Sequence, residues 1–445
     1  MGGDEVVVDP DRTASYVTDW TGRYTGATPA VVRPGSTAEV AAVVRLAREH
    51  RVALVPQGGN TGLVAGGIPL AGEVVVSLAR LAGLGPVDVL AGQVTAGAGV
   101  TLAALAAHAS AAGLAFGVDI GARDSATVGG MVATNAGGLH VIRHGAMRAQ
   151  VVGVEAVLGT GDVVSRLSGL VKDNTGYDLA QVLCGSEGTL GIVTAARLRL
   201  VAPPGQMVTA LVGVATVEAA VALAAALRRV DGIRALELMT GPSVRIVAEY
   251  LGAPPPVAPG AGAYLLVEVG APSTPAADPL SDLAVAIEGR PGVVDAAVAT
   301  ERADRRRLWR WREAHSEAGG ARGVVHKLDV TLPAGEMARF CAEVVDEVTA
   351  ARPGAEVLLF GHVGDGNVHV NVVGPPADDQ GIDDVVLGLV IARGGSISAE
   401  HGIGTLKRRW LARDRSPAEV AAMRAIKAAL DPDGILNPAV LFPPG

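Results

Sequence analysis

Two histidines flank a short turn near residue 365 and could hold a metal ion together. The stretch GHVGDGNVHVNV (residues 361–372) separates His362 from His369 by seven positions, with Asp365 and Gly366 between them. Asp-Gly is a preferred pair for a two-residue type I′ turn. Such a turn makes the two histidines face each other, with Cβ atoms about 4.5–5.5 Å apart. The spacing predicts two imidazoles within reach of one divalent ion, although a hairpin with unmetallated histidines would have the same sequence.

A carboxylate that could complete the metal site follows in the sequence SAEHG (residues 398–402). Two histidines and Glu400 would form a donor set that leaves coordination positions open for a substrate, as catalytic metal sites require. Adjacent side chains are expected to point in different directions, so His401 would face another group and is the candidate general base. A salt-bridged glutamate and a core histidine are the alternative interpretation of this pair.

An arginine and a lysine could bind a carboxylate, and a serine and an asparagine are candidates to lie near them. Counting from Arg305 in a helix, positions i+7 and i+11 share one face, and they carry an arginine and a serine. A lysine opens the strand that follows, and arginine with lysine makes a suitable carboxylate clamp. An asparagine two residues after His369 shares the face of the hairpin histidines. These candidates are Arg312, Ser316, Lys327 and Asn371.

Composition indicates an acidic protein with more than one domain. The 445 residues are too many for one ordinary core, so two or three domains are expected. The net charge of −8 argues against nucleic-acid or anionic-membrane partners. The two cysteines, Cys184 and Cys341, cannot form a Cys-x-x-Cys motif or ligate an iron–sulfur cluster.

The N-terminus and one apolar segment bear on localisation. The opening MGGDEVVVDPDR has neither the basic nor the apolar region of a signal peptide. Residues 207–227 are almost entirely apolar, but Glu218 interrupts them, and they are better explained by a buried strand and a helix capped by Thr216. No membrane span is expected, and a cytoplasmic location is predicted.

The order of strand-like and helix-like segments predicts an α+β fold. The sequence APPG near Gly205 ends a first alternating region, and a strand, helix, strand, strand, helix, strand order follows, which is typical of a ferredoxin-like layer. We predict a first domain over residues 1–204, a second over 205–395 and a C-terminal segment over 396–445. The strands of the second domain are predicted at Met207 to Ala215, Ile233 to Met239, Ala263 to Val269 and Val293 to Ala299, and its helices at Val217 to Arg229 and Leu280 to Glu288.

Glycine-rich loops in the first domain suit a large ligand. PQGGNTG (residues 56–62) follows a strand, and its backbone N–H groups could face an anion such as a pyrophosphate. Residues 119–138 and 184–194 are similarly rich in small residues. The sequence GAGVTL (residues 97–102) mimics a dinucleotide fingerprint, but Leu102 replaces its third glycine, which disfavours a nicotinamide site.

Six motifs between about Val31 and Phe442 resemble the flavin-dependent 2-hydroxy-acid dehydrogenases of the vanillyl-alcohol-oxidase superfamily. They are PQGGNTG, ATVGGMVATNAGG, KDNTGYDLAQVLCGSEGTLGIVT, GHVGDGNVHVNV, SAEHGIGTLKRR and LDPDGILNP. The resemblance implies a two-subdomain FAD-binding domain, to which the C-terminal segment returns, and a ferredoxin-like substrate cap. Some relatives tether the flavin through a histidine, and residues 56–62 contain none, so non-covalent FAD is expected.

The resemblance also implies roles for individual residues. It gives His401 as the general base, His362, His369 and Glu400 as ligands of a divalent ion with zinc as the first choice, and the four candidates Arg312, Ser316, Lys327 and Asn371 as substrate contacts. The implied FAD contacts are Pro56, Gln57, Gly58, Gly59, Asn60, Thr61, Gly62, Asp119, Ala126, Thr127, Gly129, Gly130, Thr134, Asn135, Gly137, Gly138, Glu187, Gly188, Ile192 and Asn437.

The implied activity is FAD-dependent oxidation of a D-2-hydroxy acid to the 2-oxo acid, with D-2-hydroxyglutarate as the first candidate substrate. D-lactate, glycolate and D-malate are the alternative substrates, and an oxidase that accepts O₂ is the alternative to a dehydrogenase. The expected partners are the substrate and an electron acceptor, either an electron-transfer flavoprotein, a quinone or a dye, and a homodimer is also considered. A nicotinamide dehydrogenase and a non-enzymatic metal-binding subunit are the rival classes.

Overall fold

The computed structural model describes residues 2–271 and 278–443, which divide into two compact units. The first unit contains the described residues up to Gly138, His144–Pro203 and those from Glu400 onwards, and the second contains Leu139–Arg143 and Pro204–Ala399. The predicted domain limits after residues 204 and 395 lie one and four residues from the corresponding limits of the units. The short piece Leu139–Arg143 of the second unit was not predicted.

The first unit is built on two sheets. One has four strands in the order β1-β2-β4-β3, of which β2, β3 and β4 are parallel. The other has five antiparallel strands in the order β5-β9-β7-β8, with β6 also paired to β9. These strands are β1 Val6–Val7, β2 Val31–Val32, β3 Leu54–Gln57, β4 Val74–Ser77, β5 Gln93–Gly97, β6 Ala115–Phe116, β7 Val151–Leu158, β8 Val163–Ser165 and β9 Gly191–Val201.

The second unit is built on one antiparallel sheet of seven strands in the order β13-β10-β12-β11-β15-β16-β14. Its first four strands, numbered along the chain, have the order 4-1-3-2 of the predicted ferredoxin-like layer. The hairpin β15–β16 and strand β14 extend this layer. The strands are β10 Met207–Val214, β11 Ile233–Thr240, β12 Ala263–Gly270, β13 Val293–Ala299, β14 Val325–Thr331, β15 Glu356–His362 and β16 Asn367–Val373.

The helices are given in chain order, before and after the start of strand β10. Those before the second unit's sheet are α1 Pro10–Val17, α2 Thr37–His50, α3 Leu102–Ala111, α4 Val128–Thr134, α5 Val141–His144, α6 Met147–Gln150 and α7 Leu179–Leu183. Those that follow are α8 Val217–Leu227, α9 Gly241–Leu251, α10 Pro279–Ile287, α11 Arg302–Glu313, α12 His315–Gly320, α13 Met337–Ala351, α14 Gln380–Ala392, α15 Leu411–Asp414 and α16 Pro417–Leu430. Short 3₁₀ helices lie at Gly3–Glu5 and Arg408–Trp410.

The apolar segment over residues 207–227 forms strand β10 and helix α8, as predicted. The Thr216 side chain accepts a hydrogen bond from the Ala219 amide and caps α8. Within the described ranges, none of the helices combines the length and apolar character that a bilayer crossing needs.

Several helices differ from the predictions, among them α14, which was not predicted. Helix α9 lies where no helix was predicted, because its Gly-Pro start resembles a turn, although proline is well suited to the first turn of a helix. The long helix predicted after residue 300 is two helices, α11 and α12, which meet at Ala314.

Aliphatic side chains fill most of the core, as the low aromatic content requires. In the first unit the largest buried cluster joins strands β5, β7 and β9 to helices α3 and α4. In the second unit the cluster under helices α9, α11 and α12 contains the scarce aromatic residues, including Trp309, Trp311 and Phe360. This cluster fixes α11 against the face of the sheet that carries the hairpin histidines.

Candidate active site

Two directly opposed residue pairs position the hairpin histidines in the second unit. Glu237 on β11 is the cross-strand neighbour of His362 on β15, and Asp329 on β14 is the neighbour of His369 on β16. Directly opposed side chains point to the same face of a sheet. The strand order β11-β15-β16-β14 therefore places a carboxylate on the outer side of each histidine.

The predicted turn of this hairpin is wrong, but the shared face of the histidines is confirmed. Phe360 pairs with His369, so the strands are joined by the four residues 363–366 and not by a two-residue type I′ turn. The Asp365 amide donates to the His362 carbonyl, which forms a different turn two residues earlier. The register is displaced by two residues from the prediction, and an even displacement preserves the face of every side chain. The two imidazole rings lie 5.3 Å apart, centre to centre, and nearly perpendicular.

The Glu237 carboxylate receives two hydrogen bonds in the interior of the sheet. Its Oε1 lies 2.6 Å from Nδ1 of His362, and its Oε2 accepts from Nε of Arg312 at 2.7 Å. Burial alone would raise the pKa of Glu237, but His362 and Arg312 outweigh it and lower the pKa to about 2. Glu237 is therefore an anion at every pH at which the protein is expected to work.

His369 is held in a similar way by Asp329. Its Nδ1 lies 3.3 Å from Oδ1 of Asp329, whose Oδ1 also accepts from the Asn367 side chain at 2.6 Å. Burial lowers the pKa of His369, and this effect exceeds the opposing attraction of Asp329. The imidazole is therefore neutral at neutral pH, which is the form that ligates metals.

The hairpin histidines fit a divalent metal ion. Metal-ligating histidines commonly engage a carboxylate through one ring nitrogen, which fixes the tautomer and directs the other nitrogen to the metal. Nδ1 of His362 and Nδ1 of His369 both have such carboxylate partners. Ligation would then use the two Nε2 atoms. Neutral imidazoles are suited to zinc, iron, copper and nickel, so the donor chemistry agrees with the predicted zinc without selecting it.

The four predicted substrate-binding residues all lie in the second unit. Arg312 is buried and its guanidinium stacks 4.7 Å above the Phe360 ring. Lys327 is the cross-strand neighbour of Asn371, and both share the face of the hairpin histidines. Burial lowers the pKa of Lys327. Ser316 is exposed on α12, and the single helix that was expected to carry it with Arg312 is interrupted at Ala314.

A cavity of about 630 Å³ lies within the first unit. Its size is within the ~300–1,000 Å³ typical of cofactor and small-molecule sites. Sixteen of the twenty predicted FAD contacts line it, together with Glu400 and His401. These sixteen are Pro56, Gln57, Gly58, Gly59, Asn60, Thr61, Gly62, Ala126, Thr127, Gly129, Gly130, Thr134, Gly137, Glu187, Gly188 and Ile192.

The cavity wall fits a phosphate-containing cofactor such as FAD. A Cβ on Gly58 would meet Oγ1 of Thr127 at 2.3 Å, and a Cβ on Gly59 would meet the Ser125 carbonyl at 1.7 Å. Only glycine therefore allows the glycine-rich loop to lie so close to the segment that contains Ser125 and Thr127. The buried Oγ1 of Thr127 has no hydrogen-bond partner within the described protein. An unsatisfied hydroxyl on the wall of a cavity is a natural contact for a polar ligand.

Four predicted FAD contacts do not line the cavity and support its wall instead. Asp119 and Gly138 form a parallel bridge, and Asp119 pairs with Arg123. Asn135 ends helix α4 in the left-handed conformation, and the Asn437 side chain donates to the Glu187 carbonyl at 2.8 Å. As direct contacts of the cofactor, these four residues remain predictions.

Glu400 and His401 both line the cavity of the first unit, although adjacent residues were expected to diverge. Oε1 of Glu400 lies 4.0 Å from Nε2 of His401, and its Oε2 accepts from the Gly138 amide at 2.8 Å. The expectation of divergence is wrong because strict alternation belongs to extended strands, whereas this segment is bent and Gly402 has φ +86°.

The Glu187 carboxylate fixes the loop that follows His401. It accepts from the amides of Ile403 at 2.9 Å and Gly404 at 2.7 Å. Burial raises the pKa of Glu187, and the two N–H donors oppose this effect. A Cβ on Gly404 would meet the Val64 carbonyl at 2.1 Å, so the loop also packs directly against the segment after the glycine-rich loop.

Sequence reasoning missed several residues of both sites. Glu237 and Asp329 were not predicted, although a lone carboxylate in each of the apolar strands IRALELMT and KLDVT is a usable signal, since a buried charge requires a partner. Trp20 and Leu63–Ile68 also line the cavity without having been predicted, and Ile120–Ser125 line it within the segment 119–138 that was expected to bind a ligand but were not named individually.

Two family models match the chain. Residues 28–166 match the family described as FAD binding domain, and residues 203–441 match the family described as FAD linked oxidases, C-terminal domain. The boundary between them falls close to the limit between the two units at Pro203.

Curated relatives match almost the whole chain. A D-2-hydroxyglutarate dehydrogenase of Xanthomonas citri pv. viticola is 39% identical over 443 residues, which cover 98% of this chain and 93% of the relative. One of Stutzerimonas stutzeri is 34% identical over 98% of this chain and 96% of the relative. A mitochondrial D-2-hydroxyglutarate dehydrogenase of Danio rerio is 34% identical over 98% of this chain and 83% of the relative.

Solved structures confirm the predicted fold class. Substrate-bound p-cresol methylhydroxylase superposes with a TM-score of 0.79 at 16% identity, over 99% of this chain and 94% of that one. The isoeugenol complex of 4-ethylphenol oxidase from Gulosibacter chungangensis gives 0.76 at 18% identity, over 100% and 95%. At these identities the similarity concerns the fold, which is α+β and of the vanillyl-alcohol-oxidase type.

Proposed function

Because the chain belongs to the FAD-linked oxidase family that includes D-2-hydroxyglutarate dehydrogenases, we propose that it oxidises D-2-hydroxyglutarate to 2-oxoglutarate with FAD. The reaction removes a hydride from Cα and a proton from the hydroxyl group, and it leaves reduced FAD. The proposed class is a dehydrogenase and not an oxidase. The observation that carries the proposal is the pair of histidines, each oriented by a buried carboxylate, on the sheet face that also carries Arg312.

The substrate is proposed to bind as a dianion to the second unit. Arg312 and Lys327 supply positive charge for a carboxylate, and Asn371 supplies an amide for hydrogen bonding. The Arg312 guanidinium is oriented by Glu237, which accepts a hydrogen bond from its Nε. Ser316 is retained as a substrate contact on the resemblance alone.

The proposed metal ligands are His362, His369 and Glu400. Glu400 follows Ala399 directly, and the Ala399 amide donates to the Asp329 carbonyl at 3.4 Å, so chain continuity supports its inclusion. A divalent ion, zinc first, would when bound polarise the α-hydroxyl group and lower its pKa. The protein's part is to hold both imidazoles in one tautomer and orientation through Glu237 and Asp329.

The proposed general base is His401, which lines the same cavity as the predicted FAD contacts. Its role is to accept and hold the hydroxyl proton, and FAD, when bound, would supply the hydride acceptor. The glycine-rich residues of the cavity wall hold the cofactor, and Glu187 keeps the His401 loop in place. FAD is proposed to be non-covalent, since Pro56–Gly62 contains no histidine.

The electron acceptor, the location and the assembly are proposals of the same kind. An electron-transfer flavoprotein, a quinone or a dye would reoxidise the FAD. A cytoplasmic location is kept as a proposal, whereas the Danio rerio relative is described as mitochondrial. A homodimer is the proposed oligomeric state.

The experiment that tests the function is anaerobic titration of the purified yellow protein with D- and L-2-hydroxy acids. D-2-hydroxyglutarate should bleach the flavin absorbance faster and at lower concentration than D-malate, D-lactate or glycolate, and the L-enantiomer should leave it unchanged. A colourless protein that reduces NAD, or a flavin that none of these acids bleaches, would overturn the proposal. Acid precipitation should release the flavin into the supernatant if it is non-covalent.

A further inference from the structure

Glu237 is the shared partner of two residues with different proposed roles. One carboxylate oxygen contacts Nδ1 of His362, and the other accepts from Nε of Arg312. The Glu237 side chain is only 1% exposed, against 9% for His362 and 10% for Arg312. The three groups therefore form a buried, charged unit, whose members lie 75 and 125 residues from Glu237 along the chain.

The backbone around Glu237 leaves its carboxylate little freedom. β11 is paired on both sides, with Leu266 of β12 opposite Glu237 on one side and His362 of β15 on the other. The Arg312 guanidinium also stacks on Phe360, a neighbour of His369 across the hairpin. A shift of the carboxylate therefore displaces the imidazole and the guanidinium together.

We propose that Glu237 is a positioning residue that couples metal binding to substrate binding. It selects the His362 tautomer that ligates through Nε2. It also sets the plane of the Arg312 guanidinium group, which receives the substrate carboxylate. This inference rests on the proposed function, because it takes His362 as a metal ligand and Arg312 as a substrate contact. It predicts that metal and substrate each strengthen the binding of the other.

The E237Q substitution tests this directly, because glutamine has one acceptor oxygen where glutamate has two. Either Nδ1 of His362 or Nε of Arg312 then faces an amide NH₂ group, and donor faces donor. D329N is the matched control. Asp329 holds His369 and Asn367, and no contact between Asp329 and Arg312 is found among the described residues.

The first measurement is zinc affinity, determined by competition of the metal-free protein with a chromophoric chelator, without any substrate. Loss of a carboxylate that orients a metal-ligating histidine typically weakens metal binding by about 10–100-fold. Both E237Q and D329N should show this loss. Because the zinc-affinity measurement needs no turnover, it tests the role of Glu237 at His362 independently of the proposed substrate.

The second measurement is the D-2-hydroxyglutarate concentration that half-saturates anaerobic flavin reduction, at saturating zinc. E237Q should raise it by about tenfold, inside the 5–150-fold range typical of coupled sites, whereas D329N should stay within about twofold of the wild type. In the R312M background, E237Q should add little further change, since the residue that it orients toward the substrate has been removed.

Three outcomes would overturn the coupling. E237Q could leave zinc affinity unchanged, it could regain wild-type half-saturation at saturating zinc, or D329N could raise half-saturation as much as E237Q does. If E237Q does not fold, as judged by retained FAD and the unfolding temperature, E237D replaces it. Aspartate keeps the buried charge but is one methylene too short to reach both partners, so the same two measurements apply.

Discussion

Glu237 and His362 are directly opposed on neighbouring antiparallel strands, and Oε1 of Glu237 lies 2.6 Å from Nδ1 of His362. The same relationship recurs between Asp329 and His369 on the other side of the hairpin. Strand pairing alone therefore brings each imidazole to its carboxylate, and no loop has to fold over the site to orient the rings.

Replacement of His369 by alanine should remove bound metal and most of the activity. Only one of the two imidazoles would remain, and a site with a missing ligand cannot hold the ion at ordinary concentrations. We expect zinc content below about a tenth of the wild-type value and at least a ~10³-fold lower kcat/KM. Elemental analysis and steady-state kinetics measure these quantities.

The control for that substitution is H326A. His326 is a buried histidine on the opposite side of strand β14, where its Nε2 contacts the Pro376 carbonyl at 2.8 Å. Its zinc content should match the wild type. Equal metal loss in H326A and H369A would show that general loosening of the sheet, and not ligand loss, explains the result.

Substrate affinity should fall as the pH rises, because burial lowers the pKa of Lys327. The protonated amine binds the carboxylate, so half-saturation should increase as the pH passes through this lowered pKa, which lies below the ordinary lysine value of about 10.4. In K327R the half-saturating concentration should depend less on pH, since the guanidinium stays charged. The measurement is the pH dependence of anaerobic flavin reduction, and identical profiles for the two proteins would exclude Lys327 as the titrating group.

Replacement of Glu187 by glutamine should slow flavin reduction while FAD stays bound. One of the two amides of Ile403 and Gly404 would then face an NH₂ group, and leaving a buried donor unsatisfied costs about 1–3 kcal/mol. If half of that free energy raises the activation barrier through a displaced His401, the rate of flavin reduction falls by roughly 2–12-fold. Stopped-flow absorbance gives the rate, and the visible spectrum gives FAD content.

An exposed glutamate provides the matched control for Glu187. E347Q on helix α13 removes a charge of the same sign from a solvated position and should leave both readouts unchanged. Unaltered reduction in E187Q would show that the loop holds His401 without this carboxylate.

Replacement of Gly59 by alanine should abolish FAD binding. The new Cβ would lie 1.7 Å from the Ser125 carbonyl, so the glycine-rich loop and the facing segment would have to separate. G83A is the control, because a Cβ at Gly83 meets nothing within 4 Å. The ratio of flavin to protein absorbance is the measurement, and a G59A protein with full FAD content would contradict the proposed cofactor cradle.

The sequence allowed the strands of the second unit to be predicted closely, because their boundaries follow from local patterns. The prediction of β13 at Val293–Ala299 is identical to the observed strand, and β10, β11 and β12 differ by one residue at one end. The face shared by His362 and His369 was also predicted correctly, since an error of two residues in register does not change the face.

The partners of the histidines could not be predicted, because they depend on which strands become neighbours. β14 ends 25 positions before the hairpin begins at Glu356, and β11 lies farther away, so nothing local to IRALELMT or KLDVT indicates pairing with the hairpin. Similarly, the close crossing of Gly59 and Ser125 joins two loops that are 66 positions apart. Local sequence identified the two histidines that share a face, whereas the long-range topology selected the carboxylates that orient them.

The carboxylates of Glu237 and Asp329, on the two strands that flank the hairpin, have a consequence for how the protein acquires its metal. Since β11 and β14 must both be in place before either ring is locked, an unfinished chain presents imidazoles that rotate freely and exchange tautomers. The completed sheet instead offers an incoming ion two donors that are already aligned, so capture requires little rearrangement. Loading with metal should therefore follow folding, and the metal-free protein should be a native receptor and not a denatured precursor.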